Sequence, residues 1–324
     1  AGAAVCGAVG YALLGMPGAS SDTAAAADTI ADETVAGAGR GEGARGEARR
    51  RAAARGSVKK VKRKRYVEHD ASSWLKKCAA VRGGEGGSVG QSGGEKEDVP
   101  PTLIFVAGDK SQVGKSSTCL GLVGALHERL GVHARHLAYI KPATQCEGTQ
   151  LISQYCAARG IACVGIGPVV FFSGFTRSFL AGEQGTSAEL LERIQDAVRT
   201  LGRGKKIVVV DGVGYPAVGS ICGISNADIA KALGCPVLLV GKKGVGDAVD
   251  SFNLNACFFE SRGVPVLGGL FNRLPVDGYY SLEKCQKAVT SYFEQYRPTQ
   301  IPFGFIPEVP ALAAAAAAEM EGGD

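Results

Sequence analysis

From Thr102 onward, short apolar runs rich in β-branched residues alternate with stretches of helical spacing. The runs TLIFVA, HLAYI, KKIVVVD, CPVLLVG, PVLGGLF and FGFIP read as strands, each nearly uniform in hydrophobicity. Strands of that kind are buried on both faces. Helical spacing follows Lys115 and recurs in LISQYCAARG, SAELLERIQDAVRTLG, NADIAKALG, GDAVDSFNLNACFFESRG and LEKCQKAVTSYFEQYR. The alternation predicts an α/β fold, a mostly parallel sheet with helices on both faces. In such sheets ligands sit at the carboxyl ends of the strands.

Residues 1–100 carry no such period. Ala, Gly, Ser, Arg and Glu dominate them, and they are expected to form a largely disordered basic tail and linker. AGAAVCGAVGYALLGMPGAS at the start fits either the remnant of a signal or transit sequence or plain low-complexity sequence. The chain does not begin with Met, so a fragment, a processed form or an incomplete gene model is expected. The basic stretch ends in KKVKRKR, Lys59 to Arg65, which reads as a solvated tail or as a nuclear address. A short helix is expected around Trp74, followed by the linker GGEGGSVGQSGGEKEDVPP. Residues 101–310 form the patterned domain, and 311–324 an Ala-rich, disordered tail.

The 324 residues include 45% hydrophobic residues, enough for a substantial core, and the net charge of +5 is small. No aromatic residue interleaves the basic run, which argues against nucleic-acid readout. No run approaches the roughly 18 apolar residues of a membrane span. The ten cysteines form no C-x-x-C pair, and most fall in predicted helices or strands, which suggests a reducing compartment. His133 and His136 have no cysteine nearby and are not read as a zinc site.

The chemistry concentrates in GDKSQVGKSS, between the first strand and the first helix. This is the context of a phosphate-binding loop, although its first glycine lies one residue early for the common spelling. Gly108, Asp109, Lys110, Ser111, Gln112, Val113 and Gly114 would turn backbone N–H groups onto one concavity. Lys115, Ser116 and Ser117 open the helix, whose N-terminus adds positive potential. Lys115 is expected to meet the phosphates, and the Ser116 hydroxyl a magnesium ion. Lys141 ends the second strand beside this loop and faces the same crevice. Asp211 ends VVVD at a strand tip, a second candidate magnesium ligand, with Gly212 and Gly214 following.

The order of these parts resembles dethiobiotin synthetase and its P-loop relatives, including the ATPase domains of cobyrinate and cobyrate synthases and the amino-terminal domain of long phosphate acetyltransferases. Y-x-K-P at Tyr139 to Pro142, Asp-Gly-x-Gly at 211–214, ADIAKALGCPVLLV, LFNRL and the G-x-I-P segment ending at Pro307 carry the resemblance, from Thr102 to Pro310. It implies a P-loop NTPase fold that takes ATP and Mg2+. ATP contacts would come from the loop and from Asn272, Arg273 and Pro307. Lys115 and Lys141 would be catalytic, and Lys141, Thr176, Arg177, Gly212 and Gly214 would meet a small-molecule substrate.

Two departures stand out. The family's second magnesium-binding aspartate after the lysine is missing, and Glu147 is the acid nearby. The substrate loop reads FSGFTRSFLAGEQG, with Thr176 and Arg177 suited to an anionic group. The resemblance implies an ATP-dependent carboxylating cyclo-ligase acting on a diamine, as a homodimer. The expected location is the cytoplasm or an organelle such as the mitochondrion. The alternative is a regulatory ATP-binding domain without ligase chemistry. Lys110 also occupies the place of a lysine that reaches across the dimer in ATPases related to septum-site and nitrogenase-iron proteins.

Overall fold

The computed structural model describes residues 99–145, 148 and 150–309. The basic run Lys59 to Arg65, the helix expected around Trp74, the tail 311–324 and Glu147 lie outside the described residues.

Seven strands form one sheet in the order β4-β2-β6-β1-β7-β8-β9, and all pairings are parallel. They are β1 (Thr102–Gly108), β2 (Leu137–Ile140), β4 (Ala162–Val164), β6 (Ile207–Asp211), β7 (Val237–Gly241), β8 (Val266–Leu274) and β9 (Ile301–Pro307). A two-residue pair, β3 (Ala143–Thr144) with β5 (Val169–Val170), forms a second small sheet. The six expected strands are present. The edge strand β4 and the β3–β5 pair were not expected, because runs of two or three residues are too short to show a period.

The helices are α1 (Lys115–Gly124), α2 (Leu151–Arg159), α3 (Phe175–Leu180), α4 (Ser187–Gly202), α5 (Asn226–Ala232), α6 (Gly246–Glu260) and α7 (Leu282–Tyr296). α1 continues into one π-helical turn, Ala125–Arg129. α3 lies inside the segment read from sequence as a substrate loop, which is thus partly helical.

Strand alternation sorts the core into two layers. Ile104 and Val106 of β1 face α1 and α2, in a layer with Leu137, Tyr139, Val209, Leu120 and Ile152. Leu103, Phe105 and Ala107 face the opposite layer, with Leu190 and Ile194 of α4, Ile229 of α5, Phe252 of α6 and Phe293 of α7. In that layer Phe252 and Phe293 lie 4.8 Å apart between ring centroids, and Phe271 stacks on Phe305 at 5.3 Å. Each such ring, fully buried, stabilises by about 1.5–3 kcal/mol.

The chain runs from β1 outward to β2 on one side, and after β6 it crosses over β1 to β7 on the other. This reversal beside β1 opens a crevice at the strand carboxyl ends. The loop after β1 fills it.

α4 begins with a capping box: Thr186 Oγ1 accepts from Glu189 N, and Glu189 Oε2 accepts from Thr186 N at 2.7 Å. Thr186→Ala removes half of it and is expected to cost about 1 kcal/mol, read as a lower midpoint at unchanged slope in urea denaturation.

Candidate functional site

The residues Asp109 to Gly114 turn sharply between β1 and α1. Gln112 (φ 60°) and Gly114 (φ 85°) both adopt the left-handed region, which reverses the chain within three residues. Gly114 caps α1, and a Cβ there would collide with the Asn272 amide. Asn272, at the end of β8, donates from Nδ2 to the Val113 carbonyl at 3.0 Å and so braces the loop from behind. Asp109 accepts from the Lys242 amide at 3.3 Å, and its own carbonyl accepts from Asn255 Nδ2 at 3.0 Å. Burial pushes the Asp109 carboxyl up, against the opposing pull of Ser251 and the Lys242 amide.

Period-two alternation then decides which polar side chains meet. Tyr139 and Val209 share the α1 layer, so Lys141 and Asp211, two residues on from each, emerge on the same side. Lys115, the first residue of α1, comes down from above. Asp211 has no exposed surface and pairs with Lys115 Nζ through Oδ1. Its Oδ2 accepts from Tyr139 Oη at 2.7 Å and Ser116 Oγ at 3.4 Å, and Lys141 Nζ lies 4.0 Å away. Lys141 Nζ also donates to Gln150 Oε1 at 3.2 Å.

Burial alone would push the Asp211 carboxyl up. The charges of Lys115 and Lys141, with hydrogen bonds from Lys115 and Tyr139, overcome it and hold the group below its ordinary range. Burial and the neighbouring Asp211 charge push the Tyr139 phenol well up, so it stays a donor. The Cys119 thiol, in the next turn of α1, is pushed up for the same two reasons and stays neutral.

The expected residues are therefore brought together unequally. Gly108 to Ser117, Lys141 and Asp211 form one cluster, with Lys110, Ser111, Gln112 and Ser117 exposed at its mouth. Gly214 abuts it, since a Cβ there would sit 3.7 Å from Ser111 Oγ. Arg273 follows Asn272 with φ 58°, and its Nε lies 3.8 Å from where a Gly114 Cβ would be. Pro307 ends β9 opposite Leu274. Gly212 is buried, and a Cβ on it would press on Asn226 Oδ1 at 2.7 Å, so its small size serves packing. Thr176 and Arg177 stand exposed on α3.

Sequence reasoning passed over Tyr139, Gln150, Asn226 and Asn255. Tyr139 was legible from its i,i+2 spacing to Lys141; the other three act through contacts distant in the chain. Asn226 holds the turn after β6, accepting from Val213 N at 3.0 Å and donating to the Val213 and Tyr215 carbonyls.

The Ser116 hydroxyl and the Asp211 carboxylate are hard oxygen donors side by side. They suit Mg2+, which takes few protein ligands and fills its shell with phosphate and water. Among the described residues no group of three or more His, Cys, Asp or Glu could hold a metal ion. His133 and His136 instead bond through Arg135. Also among the described residues, no helix is long and apolar enough to cross a membrane.

A family model described as an AAA domain matches residues 102–316. The chain is similar to the ATP-dependent dethiobiotin synthetase BioD of Anaeromyxobacter dehalogenans strain 2CP-C, 29% identical over 175 residues, covering 52% of this chain and 76% of that protein. The BioD of strain 2CP-1 is 29% identical over 174 residues with the same coverage. Among solved structures, a putative plasmid partition protein of Borrelia burgdorferi B31 bound to AMPPNP superposes with a TM-score of 0.43 at 15% identity, covering 66% of this chain and 89% of that one.

Asp211→Asn removes the buried carboxylate that Lys115 Nζ and Lys141 Nζ face and is expected to cost about 3–5 kcal/mol near neutral pH. The depressed carboxyl contributes stability that is complete above its unfolded value and is lost as pH falls through its lower folded value. The stability gap between parent and variant should therefore narrow below pH 3.8, the ordinary value, in urea titrations across pH.

Proposed function

The chain belongs, over residues 102–316, to the dethiobiotin synthetase-like family of P-loop ATPases, and from that premise we propose that it binds ATP with Mg2+ and uses it to activate the carbamate of a diamine, closing a cyclic urea. The observation that carries this reading is the convergence of Lys115, Ser116, Tyr139 and Lys141 on one buried carboxylate, Asp211. These residues come from the first turn of α1, which follows β1, and from the ends of β6 and β2, and the three strands are neighbours. Lys115 turns from Asp211 to the phosphates when nucleotide enters the loop. Ser116 and Asp211 would hold the metal, which would supply charge neutralisation on the phosphoryl oxygens. Lys141 stabilises the negative charge of the carbamate as it attacks. The chain's contribution is positioning and electrostatic stabilisation, with no strongly shifted general base required. The proposed unit is a homodimer.

A second reading, a regulatory ATP-binding domain, is favoured by the exposure of Thr176 and Arg177 on α3. Incubation with diaminopelargonic acid, bicarbonate, ATP and Mg2+ separates the two. Formation of dethiobiotin and ADP is expected; nucleotide binding without either product overturns the ligase reading. Lys115→Ala should lose nucleotide binding under both readings. Lys141→Ala should keep nucleotide binding and lose about 100-fold or more in kcat under the first alone, and normal turnover in that variant would remove Lys141 from the catalytic set.

A further inference from the structure

α2 and β4 pack together in the α1 layer, and each brings a cysteine to the seam. Cys156 lies in the second turn of α2 and has no exposed surface. Cys163 is the middle residue of β4 and is half-buried. The connection between them is short. Gly160 ends the helix in the left-handed region (φ 67°), and Ile161 N returns to the Cys156 carbonyl at 2.9 Å. That reversal lays β4 against the helix, and the Cys156 thiol hydrogen bonds to the Cys163 sulfur. Ser153 stands three residues before Cys156, on the same face of α2, and its Oγ lies 3.7 Å from Cys163 Sγ.

The two sulfurs are chemically unequal. The hydrogen bond from Cys156 holds the Cys163 thiol below its ordinary value, against burial and with help from Ser153. The same hydrogen bond and burial push the Cys156 thiol up. One sulfur is therefore poised as a nucleophilic thiolate, and its neighbour keeps a proton and can resolve what forms on it. Gly165 keeps the place beside the nucleophile open. A Cβ there would collide with Ser153 Oγ and lie 4.0 Å from Cys163 Sγ. Sulfurs already in contact need only a small movement to reach a bond of about 2.05 Å.

We propose that Cys156 and Cys163 form an oxidant-sensitive dithiol that reacts with a small hydroperoxide and closes into a reversible disulfide. The Cys163 thiolate attacks one peroxide oxygen and the O–O bond breaks. The other oxygen takes a proton and leaves as water or an alcohol, and Cys163 becomes a sulfenic acid. Cys156 then attacks that sulfur, the S–O bond breaks, and the Cys156 proton leaves with the hydroxyl as water. Two thiols and one hydroperoxide thus give one disulfide, one alcohol or water, and one further water. The sulfurs lose two electrons and the peroxide gains them; a dithiol reductant reverses the change. A small oxidant suits the seam better than a bulky disulfide, because Cys156 is covered and Cys163 only partly reached. The inference is independent of the nucleotide reading.

The full chain, reduced and freed of reductant, is treated with hydrogen peroxide, blocked with N-ethylmaleimide and digested with trypsin. Arg159 lies between the two cysteines, so cleavage there leaves them on separate peptides. Mass spectrometry should find the Cys156 peptide joined to peptide 160–177, and dithiothreitol should release the two. The Cys156 peptide also carries Cys146, so the Cys146→Ala variant should give the same cross-link. In Cys156→Ala, dimedone should label Cys163 as a sulfenic acid. In Cys163→Ala, Cys156 should stay unoxidised. Ser153→Ala should label more slowly in the Cys156→Ala background. Absence of the cross-link in the parent, its loss in Cys146→Ala, or dimedone on Cys156 in Cys163→Ala overturns the proposal. Faster closure by oxidised glutathione than by hydrogen peroxide at equal concentration overturns the choice of oxidant.

Discussion

A fully buried carboxylate at the tip of β6 is the constraint around which this molecule is arranged. Stripped of water, Asp211 would cost several kcal/mol on its own. Lys115, Lys141, Tyr139 and Ser116 offset that cost, and each reaches Asp211 only because a particular element delivers it. β2 must lie beside β6, β1 on its other side, and α1 must start above them. A one-residue slip in β2 would turn Tyr139 and Lys141 to the opposite layer together. Buried ion pairs are weak evidence for stability, since apolar residues of the same volume hold a fold as well or better. The charges are therefore better explained by a ligand than by the fold.

That half of the molecule was legible in the sequence because its parts obey short, fixed periods. Near-uniform apolar runs gave the six long strands, and a lysine or aspartate ending such a run must sit at the ligand crevice. The loop was recognisable from Gly114, Lys115 and Ser116 between a strand and a helix. The extra residue before them is accommodated by the left-handed turn at Gln112, a conformation that no composition rule assigns to glutamine.

The remainder was hidden for physical reasons. β4 has three residues on a sheet edge, partly exposed, with no alternation to detect. α3 has six residues, and only Phe175 is buried among them, so the segment read as a loop rich in hydroxyl and arginine groups. Asn272 was expected to face the nucleotide; its amide donates to the Val113 carbonyl from a strand far along the chain. Gln150 gave the sequence reader nothing, because its partner is fixed by folding and its own helix start looks uncapped.

The same contrast explains why the buried cluster around Asp211 is better defined than the exposed segments after β6 and on α3. Its groups are carried on strand tips and on the first turn of α1, which are rigid elements. Beyond Gly214 the chain is anchored at its root by Asn226, which holds Val213 and Tyr215 through three hydrogen bonds. Past that anchor the apolar side chains of Tyr215 and Ile221 are 47% and 59% exposed, with Thr176 and Arg177 exposed on α3. Exposed groups on short elements can change with little penalty to the core. A P-loop scaffold of this order can therefore keep one way of holding a triphosphate while the groups that choose its acceptor diverge. The exposed residues of 172–185 and 214–225 can vary in this way without disturbing the buried cluster around Asp211.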